Sequence, residues 1–159
     1  MAFYSDHPED LLFDAARRGD TAYLKQLIDN QVDINIQNGK GFTPLIVAAY
    51  DGQQEATQLL LDAGADPNIQ DASGNTALMG ISFKGYPEIA DLLIQHGADL
   101  DLQNGNGGTA LMFATMFGRN PMVKLLLDAG ADTSLRDARG LSARDIAIQQ
   151  GNEEALQWL

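Results

Sequence analysis

Residues 41–66 read GFTPLIVAAYDGQQEATQLLLDAGAD, and this stretch decides the fold. Gly41 is a turn glycine. Thr43 offers a hydroxyl as helix N-cap, and Pro44 falls at the first helical position, where a missing N–H goes unfelt. Leu45, Ala48 and Ala49 recur at helical spacing until Gly52 ends the helix. A second helix carries Leu59, Leu60 and Leu61 and stops at Gly64. Two helices this short cannot bury their own apolar faces, so the unit requires neighbours.

The neighbours are written in the same chain, and a shift of 33 residues finds them. The turn glycine returns at Gly74, Gly107 and Gly140, and the N-cap returns as Thr76, Thr109 and Ser142. The first-helix leucine returns as Leu78 and Leu111, with Leu12 in a weaker first copy. The inter-helix glycine is found at Gly19, Gly52, Gly85, Gly118 and Gly151. Leucine pairs at 59–60, 92–93 and 125–126 and Gly-Ala-Asp at 64–66, 97–99 and 130–132 complete the pattern.

These residues resemble the ankyrin repeat family over nearly the whole chain. The family motif runs Gly-x-Thr-Pro-Leu-His-x-Ala-Ala, then Gly, a Leu-Leu pair and Gly-Ala-Asp. Gly41, Thr43, Pro44, Leu45, Ala48 and Ala49 carry its first part, and Gly52, Leu59, Leu60, Gly64, Ala65 and Asp66 the rest. The motif histidine, which in the family usually links neighbouring repeats, is replaced by Ile46, Met79, Met112 and Asp145. Isoleucine and methionine there are expected to substitute apolar packing.

The expected fold is an all-α solenoid of about five stacked helix–turn–helix repeats with β-hairpin-like fingers, forming one domain over residues 1–159. Residues 1–4 read as a leader. A capping repeat spans about 5–37, regular repeats 38–70, 71–103 and 104–136, and a C-terminal capping repeat 137–159. In the first copy Asp10 stands in for the N-cap threonine, and Asn30-Gln31-Val32 replaces Ala-Gly-Ala. Its outer face is polar, with Asp6, Glu9, Asp14, Arg17, Arg18 and Asp20, as an end without a neighbour requires. Asn120 before Pro121 marks a clear helix start. The last copy ends at Trp158-Leu159, where the others carry their leucine pair, and this sets the expectation of a longer natural chain. Asn38-Gly39-Lys40-Gly41 and its counterparts at 71–74, 104–107 and 137–140 are turn sequences, each expected to form a finger projecting from the helices. The glycine-rich Gly105-Asn106-Gly107-Gly108 is expected to be the most mobile of them. Ser82 and Thr115, where the second copy has Ala49, are expected to weaken packing locally.

Composition narrows the function. A formal charge of −12 disfavours nucleic acid and anionic lipid, both of which are held by lysine and arginine neutralising phosphates. No run approaches ~18 apolar residues, so no membrane span is expected. MAFYSDHPED lacks the features of a signal peptide, and cysteine is absent, which together favour the cytoplasm, or the periplasm if a signal has been removed. A monomer is expected.

Catalytic candidates are few. His96 lies at a helix C-terminus and His7 in the N-terminal leader to the first copy, and they read as a helix end and a solvated surface position rather than as catalytic or metal-bound groups. Asp33-x-Asn35-x-Gln37 and Asp99-x-Asp101-x-Gln103 open like calcium loops. The required glycine, however, falls on Asn38 and Asn104, and the twelfth-position glutamate on Pro44 and Ala110. They read as repeat-end turns. No enzyme activity, cofactor or metal is expected.

The informative positions are those that do not recur. The residue after the second motif alanine reads Arg17, Tyr50, Phe83, Met116 and Gln149, and the next reads Arg18, Asp51, Lys84, Phe117 and Gln150. The finger position after the turn glycine reads Phe42, Asn75, Gly108 and Leu141. The resemblance implies that these positions line one concave surface. Phe42, Tyr50, Asp51, Phe83, Lys84, Met116 and Phe117 are therefore the expected partner-binding residues, spaced by the ~10 Å between stacked helices. Lys40, Lys84, Arg17 and Arg18 would supply a polar rim. The expected function is non-catalytic binding of a protein, one with basic character suiting the acidic field. The alternative is a small inhibitory or immunity-type protein that masks a basic site on an enzyme. Irregular Gly80, Ser82 and Thr115 argue against a consensus design.

Overall fold

The computed structural model describes residues 7–159; the expected leader at 1–4, and Asp6 after it, lie outside the described residues. Among these, ten helices follow in pairs. One row comprises α1 (Pro8–Arg18), α3 (Pro44–Tyr50), α5 (Ala77–Lys84), α7 (Ala110–Met116) and α9 (Ala143–Gln150), each packed on the next. Behind it stand α2 (Thr21–Asp29), α4 (Gln54–Asp62), α6 (Pro87–Gln95), α8 (Asn120–Asp128) and the short α10 (Glu153–Leu156).

The recurring residues start these helices and fill the space between the rows. The hydroxyls of Thr43, Thr76, Thr109 and Ser142 accept the N–H of Ile46, Met79, Met112 and Asp145 at 3.1, 3.3, 3.2 and 3.2 Å. Each bond satisfies one of the donors that a helix start leaves open. Leu12, Leu45, Leu78 and Leu111 are fully buried between the rows. Of each leucine pair only the second member, Leu60, Leu93 or Leu126, is buried outright; the first stays half-exposed.

The first helix does not use Asp10 as its cap. His7 occupies the N-cap position and Pro8 begins the helix, leaving Asp10 in the first turn. The fixed φ of proline suits the first helical position, and a carboxylate one turn in still meets the positive end of the helix dipole. Nor are Ser82 and Thr115 unsatisfied intruders. Their hydroxyls donate to the carbonyls of Leu78 and Leu111 at 2.7 and 2.8 Å, so neither brings an unpaired polar group into the core.

At the motif-histidine position, Met79 and Met112 are buried, and Ile46 is half-buried against the core. Asp145 behaves differently. It accepts the N–H of Ser142 at 3.0 Å and pairs with Arg136 at 3.2 Å. Its carboxyl is held below the usual carboxylate range, chiefly by the Ser142 N–H and hydroxyl, with Arg136 adding to them.

The fingers are hairpin-like turns with no strand assigned among the described residues. Each is built on one acceptor. Oδ1 of Asn38, Asp71, Asn104 and Asp137 takes the N–H two residues on and the N–H four residues on, all at 2.8–3.0 Å. The glycine-rich finger at 104–108 is held in the same way. Successive fingers are then stitched together. Gln37, Gln70 and Gln103 each donate to a carbonyl of their own finger and to one 33 residues further on. Gly41 sits at φ 78°, and a Cβ there would lie 2.6 Å from the backbone N of Ala72 in the next finger. Only glycine permits so close an approach.

Candidate functional site

In the angle between the fingers and the α1–α3–α5–α7–α9 row lies a hollow of about 450 Å³, within the ~300–1,000 Å³ range of concave binding sites. Finger residues Phe42, Asp71 and Asn75 border it on one side, and Tyr50, Gly80 and Phe83 on the helix side. Its walls are mainly apolar, formed by Phe42, Ile46, Val47, Met79, Phe83 and Phe113. The recurring framework contributes Asp71, the finger acceptor, and Thr76, a helix cap.

The structure gathers the expected site residues in two groups. Phe42, Tyr50, Asp51 and Phe83 all border the hollow. Tyr50 and Phe83 lie parallel with ring centroids 6.5 Å apart, and Phe117 meets Phe83 edge-on at 4.7 Å. The ~10 Å spacing expected of separate side chains is thus closed: the rings lean along the row until they touch, as aromatic pairs favour. Tyr50 and Phe117 remain 41% and 44% exposed, which is unusual for large apolar groups and leaves ring surface free for contact. Met116 stands apart, in a second hollow near Asn106, Met112 and Ile146. Phe113 lines both hollows and divides them.

Of the expected polar rim, Lys84 and Arg18 are engaged by neighbours. Lys84 Nζ lies 4.5 Å from the centre of the Tyr50 ring, a cation–π contact. Arg18 pairs with Asp14 at 3.1 Å and more loosely with Asp20 at 3.9 Å. Lys40 is exposed on its finger, and Arg17 borders the hollow with no ion pair among the described residues. Asp51 and Asp71 likewise have no ion pair there, and Asp71 spends only Oδ1 on its finger.

Three residues that shape the hollow were missed in the sequence: Val47, Gly80 and Phe113. They share one position, two residues after the first-helix leucine. That position is masked in the motif as an unspecified residue, and its departure from periodicity was the available signal.

The residues resembling calcium loops have structural duties. Asp33 and Asp99 accept the N–H of Asn35 and Asp101, whose own Oδ1 atoms accept the N–H of Asp66 and Asp132 in the next pair. His96 also crosses between pairs, with Nδ1 2.9 Å from the Leu92 carbonyl and Nε2 3.2 Å from Asp62. Among the described residues no group of three or more metal-ligating side chains is assembled, and no helix is long and apolar enough to cross a membrane.

A sequence model described as ankyrin repeats in three copies matches residues 12–104 and, overlapping them, 78–159. No curated protein matches the chain.

Proposed function

Since the chain belongs to the ankyrin repeat family, whose members are in general protein–protein interaction modules and typically non-catalytic, we propose that it binds a protein partner through the groove between its fingers and its inner helices. The observation that carries this reading is the aromatic row Tyr50–Phe83–Phe117, exposed at both ends and half-buried at Phe83, beside an apolar hollow. A surface of this kind is made of the side chains that interface centres enrich, and it exists before binding. The partner then meets a formed surface, and the entropy cost of ordering loops on association is avoided. Asp51 and Lys84 lie at its edge, and Met116 extends it towards the last helices. The net charge of −12 supports a partner with basic character, whose approach that field accelerates.

The test is capture from a lysate of the source cell with the chain immobilised, followed by mass spectrometry. Proteins retained by the native chain should be lost with Tyr50→Ala/Phe83→Ala, whose far-UV circular dichroism stays native. Gln58→Ala, on the outer helix α4, should retain them. Capture that survives the double substitution sinks the groove assignment.

A further inference from the structure

Two residues after the first-helix leucine position, the chain reads Asp14, Val47, Gly80, Phe113 and Ile146. Only the middle member lacks a side chain. It lies inside α5, where glycine is the least favourable residue after proline. No steric demand explains it: a Cβ on Gly80 would meet Tyr50 Cδ2 at 3.4 Å, an ordinary contact, and nothing else within 4 Å. Gly41 is the opposite case, with backbone pressed against it. What the missing side chain does is keep open the hollow between Val47 and Phe113, under Tyr50 and Phe83.

The rim of that hollow carries two carboxylates, Asp51 and Asp71, against one guanidinium, Arg17. Neither carboxylate has an ion pair among the described residues, and the far field of the chain is strongly negative.

We infer that the Gly80 hollow is a side-chain pocket for an extended segment of a partner protein, taking one bulky apolar residue whose neighbouring lysine or arginine meets Asp51 and Asp71. The inference rests on the groove reading above and specifies what the groove selects. The apolar residue supplies affinity by leaving water. The cation supplies register, since Asp51 at the end of α3 and Asp71 on the finger fix where it can lie.

The experiment is selection from a displayed library of random short peptides on the full chain. Selected peptides should share a leucine, methionine, phenylalanine or tryptophan beside a lysine or arginine. Synthetic versions in which the apolar residue is cut to alanine, or the basic one reversed to glutamate, should bind about tenfold or more weakly. Gly80→Leu should fill the pocket from within and weaken binding as much. Gly80→Ala, whose methyl fits without strain, keeps the test valid should the leucine disturb folding, and it should weaken binding less. The peptide-side substitutions need no altered protein at all. Peptides lacking the pattern, peptides with acidic neighbours, or binding indifferent to both Gly80 variants would overturn the pocket. If such peptides are nonetheless lost with Phe117→Ala, the groove stands and the pocket alone falls. Peptides that ignore Phe117→Ala as well, or a library that yields none, overturn both.

Discussion

The fingers and the helix face above them are made from the same copies, yet they treat repetition in opposite ways. At every finger the same atom accepts the same two N–H groups, and glutamines 33 residues apart tie each finger to the next. On the helix face nothing returns: Tyr50, Phe83 and Met116 follow one another, and Val47, Gly80 and Phe113 stand beside them. A stack can be held together only by contacts that work at each step, so the fingers are constrained. The helix face bears little of that load, and it is free to vary.

One substitution, glycine to alanine, should therefore have opposite effects in the two regions. Gly41→Ala places a Cβ against the Ala72 backbone at a positive φ, and it should destabilise the chain by about 2 kcal/mol or more in denaturant melts. A neutral result would mean that neighbouring fingers are not packed so closely. Gln70→Ala removes two carbonyl bonds, one of them the stitch to the next finger, at a cost of about 1 kcal/mol. Hydrogen exchange should then quicken at the fingers on either side of it and stay unchanged on α8; a uniform change would deny the local coupling. Gly80→Ala, on the helix face, should stabilise α5 by about 0.5–1 kcal/mol, because alanine loses less backbone freedom on folding. A loss of stability there would show that the glycine has a packing role after all.

The smallest effect separates the last finger from the two built on asparagine. Burial pushes Asp137 up, but the Leu141 N–H and the Arg139 side chain outweigh it, so its carboxyl lies below the usual range. Ser134 holds Asp132 down, first through its hydroxyl and then through its N–H, and Asp145 is held down as described. A carboxyl depressed in the folded state stabilises above its unfolded pKa of about 3.9, and that contribution is lost as pH falls through the folded value. Acidification from about pH 5 to about pH 2 should thus loosen the finger built on Asp137 before those built on Asn38 and Asn104, which have no carboxyl to protonate. Amide exchange that rises equally at all of them would contradict this.

The framework was readable because each part of it is local. A threonine caps the helix that starts beside it, a proline fits the first turn, and a glycine accepts a positive φ, so spacing along the chain carries the information. Even at Asp10 the contest was local: Pro8 set the helix start three residues earlier, with His7 as its cap. The site was readable only in part. Departure from the repeat singled out Tyr50, Phe83 and Phe117 as candidates, but not that their rings would touch, nor that Met116 would fall in a different hollow.

By itself, then, the sequence determined an ankyrin stack, its capped helices, its turn-built fingers and the positions free to vary. Tertiary structure decided what lies between copies. The stitching by Gln37, Gln70 and Gln103, the bridge from His96 to Asp62 and the hollow at Gly80 all join residues about one repeat apart. A periodic pattern says that such residues are neighbours, but not which atoms meet. That follows from the distance and rotation between stacked helix pairs, which no single copy encodes. A missing side chain becomes a cavity only when the next copy supplies its far wall.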